Sequence, residues 1–199
     1  MIKNYSLFYS YKQIGDVLMV IIENEKPTTR HIRNGSVEVL YHEEEIIGYN
    51  IFDISEVIKI KTRGKIFLPS PILIKVINTI LKNSGAEELD EIHESGYVIG
   101  QVKEVKEIDN KKVLKVDISK EIVTALTSGD INVNDYIVIA KLNTMLNNGE
   151  VIKICSYANE TINAHVCNEK ELQISDNEEP LIIKEEVTIG MDFFMEGEN

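Results

Sequence analysis

The sequence predicts a two-part, mainly β protein of the α+β class: a β-rich N-terminal domain with a single helix over residues 1–95, then a small β-barrel over residues 96–199. Three observations carry this. Short alternating or continuous apolar runs, punctuated by Gly, Asn and Asp turns, recur along the whole chain, as strands of antiparallel sheets do. Only the segment opening at Ser70 has a full set of helix signals. Finally, 199 residues, 43% apolar and 27% charged, suit ordinary globular material with room for one large core or two small ones.

The N-terminal domain opens with β-type segments. Tyr5 to Tyr11 is rich in aromatics, and Val17 to Ile22 is a continuous apolar run between Gly15 and Glu23. Ser36 to Tyr41 alternates, with Val37, Val39 and Tyr41 on one face; after the charged turn His42 to Glu45 comes Ile46 to Phe52. These pairs read as hairpins of one antiparallel sheet. Lys59 to Lys65 is a further alternating run. Strand geometry puts Lys59, Lys61, Arg63 and Lys65 on one side, the densest basic patch of the chain. A merely solvated strand face is the simpler account of such a run.

Ser70-Pro71 supplies an N-cap and a proline at the first helical position, Leu73, Ile77, Ile80 and Leu81 share a face, and Asn83-Ser84-Gly85 stops the helix. That apolar face is expected to cover the sheet. The acidic stretch Glu87 to Glu94 reads as a linker or interdomain helix, with the domain boundary near Gly96.

The second half begins with the strand Tyr97 to Val105, turns at Asp109-Asn110 and returns as Val113 to Ile118. Tyr136 to Lys141 is a strand, Gly149 a turn, Val151 to Ile154 a second strand, and after a polar loop a third strand ends at Cys167. Several short strands with little helix point to a barrel, which closes the sheet and removes exposed edges.

Composition narrows function further. The longest apolar runs are too short to span a bilayer, and Met1-Ile2-Lys3-Asn4 lacks a secretory pattern. Two cysteines, Cys155 and Cys167, imply no disulfide framework and fit a reducing cytoplasm. His165-x-Cys167 with Cys155 has no second ligand pair, so a buried thiol is expected in place of a metal site. Phosphate loops, dinucleotide fingerprints, nucleophile elbows and zinc-protease motifs are missing, so neither catalysis nor a cofactor is expected. The net charge of −12 is unusual for a nucleic-acid binder; residues 1–95 carry −3 and residues 96–199 carry −9. Such a field repels RNA unless the acids face away from it.

Motifs along nearly the whole chain resemble the two-domain bacterial tRNA-binding proteins of the YtpR type. Gly15-Asp16-Val17-Leu18-Met19-Val20 is similar to their G-D-V-L-L-V strand, and Gly48-Tyr49-Asn50-Ile51-Phe52 matches their G-Y-N-I-F string, the most specific piece. Tyr97-Val98-Ile99-Gly100, Ile137 to Lys141, Gly149 to Lys153, Cys167 to Leu172 and the ending Gly190 to Phe194 resemble successive pieces of their barrel, itself similar to a domain of the phenylalanyl-tRNA synthetase beta chain. The resemblance implies an OB-fold (oligonucleotide-binding) barrel and a cytoplasmic, non-catalytic protein that binds tRNA by shape and backbone.

The binding loops depart from that pattern. The hairpin Lys106 to Lys112 lacks the family's His-Pro pair. Thr127-Ser128-Gly129-Asp130-Ile131 replaces G-A-P-N-V, so Asp130 stands for an Asn. Tyr157 to His165 replaces L-R-G-V-x-S-x-G-M, with Ala158 at its Arg and both glycines gone. Carried onto this chain, the expected nucleic-acid contacts are Lys111, Lys112, Ser128, Lys141, Lys153, Asn163 and His165. The rival expectation is a divergent copy that has lost RNA and works as a protein-interaction module, as a homodimer or on a basic partner.

Overall fold

Six antiparallel strands organise the first half of the chain. The structure, a computed structural model, describes residues 1–195 and separates into two units, Met1–His93 and a second beginning at Glu94. Strands β1 (Ser6–Tyr9), β2 (Val17–Ile21), β3 (Arg30–Asn34), β4 (Val37–His42), β5 (Glu45–Phe52) and β6 (Gly64–Ile66) lie in the order β3-β4-β5-β2-β1-β6. A single turn of helix, α1 (Tyr11–Ile14), takes up the end of the aromatic run that reads as strand. Gly48 has a steric reason: a Cβ there would stand 2.5 Å from the Val20 carbonyl oxygen across the β2–β5 pairing.

The helix α2 (Pro71–Asn83) forms as its signals predict. The Ser70 hydroxyl accepts from the Leu73 amide at 3.3 Å, and the chain leaves through Ser84 and Gly85, whose φ is +71°. Leu73, Ile74, Ile77 and Leu81 bury their face in one core with Leu7, Leu18, Val20, Val37, Tyr49 and Ile51.

Two expectations for this unit are corrected. The acidic stretch after α2 is not a helix, and although the two units divide within it, its first part belongs to the core of the first unit. Leu89 is fully buried, bridges in parallel to Ile2, and has both its backbone groups held by Asn78, whose amide donates to the Leu89 carbonyl and whose side-chain oxygen accepts from the Leu89 N–H, at 2.8 Å each. One apolar residue among acids is enough to pin the segment. The four cations of residues 59–65 do not share a face either. Residues 58–63 run without strand pairing, Ile58 and Ile60 packing on the core and Lys59, Lys61 and Arg63 outward. Lys65 enters β6, where pairing with β1 turns it inward; it is 4% exposed, its ammonium 5.7 Å from the centre of the Phe67 ring.

In the second unit, β7 (Tyr97–Ile108), β8 (Lys111–Asp117), β9 (Ile122–Thr127) and β10 (Tyr136–Ala140) are followed by a small hairpin, β11 (Cys155–Tyr157) and β12 (Glu160–Ile162), then β13 (Ala164–Val166) and β14 (Ile182–Ile183). The sheet order β13-β9-β8-β7-β10 closes through a β10–β13 pairing; β9–β13 is parallel and the other four contacts are antiparallel. A five-stranded barrel closed in this order has the OB-fold architecture that the sequence predicts. Asp109 and Asn110 both take positive φ, +47° and +64°, as a two-residue hairpin turn requires. The strand expected at Val151 to Ile154 reduces to one bridge, Met145 to Val151. Val98, Val102, Leu114, Val116, Ile137, Ile139 and Val166 fill the barrel. Near its end the chain is clasped to the start of this unit: the buried Asp192 carboxylate accepts from the Ser95 amide at 2.6 Å, the Ser95 hydroxyl at 2.7 Å and the Phe194 amide at 2.9 Å.

Candidate nucleic-acid interface

OB-folds present ligands to the second and third strands and to the loops after the first and fourth. Here these are β8, β9, the turn at Asp109-Asn110, and the segment from Lys141 to Asn163 that carries the β11–β12 hairpin. That hairpin lies against β7 and β8: the Tyr157 hydroxyl donates to the Ile108 carbonyl at 3.4 Å, and the Lys111 ammonium sits 5.2 Å from the centre of the Tyr157 ring. A cation beside an aromatic face is the kind of pair that serves single-strand and backbone binding.

The lysines around it are occupied. Glu160, on β12, takes Lys106 at 2.9 Å and Lys115 at 3.7 Å, and the Lys106 hydrogen bond holds the Glu160 carboxyl below the usual carboxylate range. Lys103 lies 3.6 Å from Asp117. Lys112 shares the inward parity of Leu114 and Val116 and lies at the barrel's end. Its ammonium donates to Asp130 at 3.0 Å and to the Ile131 carbonyl at 3.1 Å.

The other predicted contacts have their own surroundings. Lys141 donates to Glu94 at 3.0 Å, at the point where the chain enters the barrel. Asn163 locks strands: its side-chain oxygen accepts from the Thr124 amide at 2.7 Å, and its own backbone amide donates to the Thr124 carbonyl. His165 Nε2 lies 2.9 Å from Glu171. Ser128 and Lys153 are exposed, in the β9–β10 connection and before β11 respectively. Of the seven, Lys112, Lys141, Asn163 and His165 are held by partners within this unit, Ser128 adjoins Thr127, which pairs with Lys112, and Lys111 is exposed beside Tyr157 at the expected end.

Glu171 is a residue that the sequence motifs do not single out. It accepts from the Asn168 amide at 2.9 Å while Asn168 Oδ1 accepts from the Glu171 amide at 2.8 Å, a reciprocal cap over four residues. The N-x-x-E spacing is the available signal. Burial works against its charge, but the His165 hydrogen bond and the Asn168 amide outweigh this and keep the carboxyl below the ordinary range. His165, Cys167 and Glu171 offer three donor atoms within 4.8 Å of one another. A structural zinc takes four ligands, so this trio would leave one position open.

Fold and site together define an α+β unit followed in the chain by an OB-fold barrel. Residues 24–91 match a family described as "Domain of unknown function (DUF4479)". Over 177 residues the chain is 25% identical to "Putative tRNA-binding protein YtpR" of Bacillus subtilis (strain 168), a match covering 85% of this chain and 88% of that protein. Over most of its length the chain is thus similar to a YtpR-type protein, the type its motifs resemble.

Proposed function

We infer that this chain is a non-catalytic, cytoplasmic tRNA-binding protein whose barrel holds the RNA backbone at the β7–β8 turn and the β11–β12 hairpin. The observation that carries this is the closed barrel in OB-fold order within a chain that is similar, over 85% of its length, to a protein named for tRNA binding. Lys111 against Tyr157 supports contact at the end where OB-folds use their loops. Among the described residues no helix is long and apolar enough to cross a membrane. Filter binding of bulk tRNA to the full chain at low and moderate salt tests the reading. Saturable binding at low salt that weakens as salt rises supports it, and no binding at low salt ends it.

A second reading is favoured by the ion pairs of Lys103, Lys106, Lys112, Lys115 and Lys141. A barrel whose lysines are neutralised by its own acids suits a basic protein partner or a second copy of the chain. Sizing chromatography with a pull-down from the source cytosol separates the two; a monomer that recovers no protein counts against this one.

A further inference from the structure

We propose that the strip Lys59, Lys61 and Arg63 of the first unit is a phosphodiester-binding site that supplies much of the chain's electrostatic hold on RNA; it rests on the tRNA-binding reading above. The backbone of the strip is anchored. Ile58 and Ile60 pack on the core shared by α2 and the sheet, so the alternate side chains are forced outward, and all three cations are exposed. At the far end, the pairing of Gly64 with Tyr9 and of Lys65 with Phe8 ties the strip to β1.

The charges are available. Among the described residues no carboxylate lies within ion-pair distance of Lys59, Lys61 or Arg63. The other cationic strand of this unit differs: on β3, Arg30 is 3.5 Å from Glu44, His31 is 2.7 Å from Glu38, and Arg33 donates to the Gly35 carbonyl and lies over Phe52. In the barrel, Lys103, Lys106, Lys112, Lys115 and Lys141 are likewise held. Counterion release needs cations that are not already neutralised, which favours the strip over these paired lysines.

The spacing suits a polyanion. Outward residues two apart on extended chain stand about 6–7 Å apart, close to the separation of successive phosphates on a nucleic-acid strand. Three such contacts give affinity without base readout, so the ligand class is any RNA backbone of suitable shape. The strip falls within residues 24–91, the stretch matched by the family of unknown function, and gives that stretch a role.

The test uses the full chain and bulk tRNA, with wild type beside three variants. In the first, Lys59→Gln, Lys61→Gln and Arg63→Gln remove the charge; in the second, Lys59→Arg, Lys61→Arg and Arg63→Lys keep it; in the third, Lys111→Gln alters the barrel alone. Circular dichroism and thermal unfolding check that each folds. The charge-free variant is expected to bind about tenfold or more weakly at low salt, with the slope of log K against log[salt] smaller by about 2–3. The charge-keeping variant is expected to match wild type. Wild-type binding with an unchanged affinity and slope in the charge-free variant overturns the strip while leaving the tRNA reading intact, more so if Lys111→Gln alone weakens binding. Failure of wild type to bind at all overturns both.

Discussion

The Lys112 ammonium rests 3.0 Å from the Asp130 carboxylate, so one of the lysines expected to contact RNA is held by an acid of the neighbouring loop. Asp130 is 92% exposed and Lys112 only 18%, so the acid is the more solvent-facing member of the pair. This one relationship shows how a barrel can keep its strands and lose positive potential.

Asp130→Asn is therefore expected to raise tRNA affinity, by about two- to fivefold at low salt, since it releases one cation and removes one opposing charge. Stability should change by less than about 1 kcal/mol, because exposed ion pairs contribute little. Parallel filter binding and thermal unfolding of the variant check both parts. An affinity equal to or below that of wild type would show that Lys112 takes no part.

Glu171 gives the barrel an acid sensitivity. Its carboxyl is held low in the folded chain by His165 and the Asn168 amide against the opposing effect of burial. A depressed carboxyl pKa contributes stability that is complete above the unfolded-state value, about 4.3, and is lost as pH falls through the folded value. Glu171→Gln should lower stability by about 1–3 kcal/mol at neutral pH and flatten the fall on acidification. Urea unfolding of both proteins between neutral pH and the acid limb measures this; equal acid sensitivity in the two would exclude Glu171 as the cause.

Ser70 is a purely structural cap. Ser70→Ala should cost about 1 kcal/mol through loss of the Leu73 amide's partner, with tRNA binding unchanged once the protein is folded. Chemical denaturation beside filter binding checks the pair of outcomes, and a loss of binding without a loss of stability would assign α2 a role it lacks in this account.

What is legible in the sequence is whatever depends on near neighbours. Ser70, Pro71 and Gly85 announce the helix because capping is a matter of three or four residues, and Asp109-Asn110 announces its turn because positive φ selects those types. Gly48 is legible as part of a motif, and its close approach to Val20 explains the motif. Lys65 is not, because its face depends on where β6 meets β1, far away in sequence. Leu89 is hidden for the same reason: its burial depends on Ile2 and Asn78. The candidate interface is the least legible part. The partners that occupy it are distant, Lys106 and Glu160 being 54 positions apart and Lys141 and Glu94 47 apart, so no local pattern reveals which lysines are spoken for.

The most direct test of the central claim is the salt dependence of bulk tRNA binding by the unmodified full chain. The account predicts saturable binding at about 50 mM salt, with log K falling linearly against log[salt] as several cation–phosphate contacts are lost. No binding at that salt, or binding indifferent to salt, would contradict it.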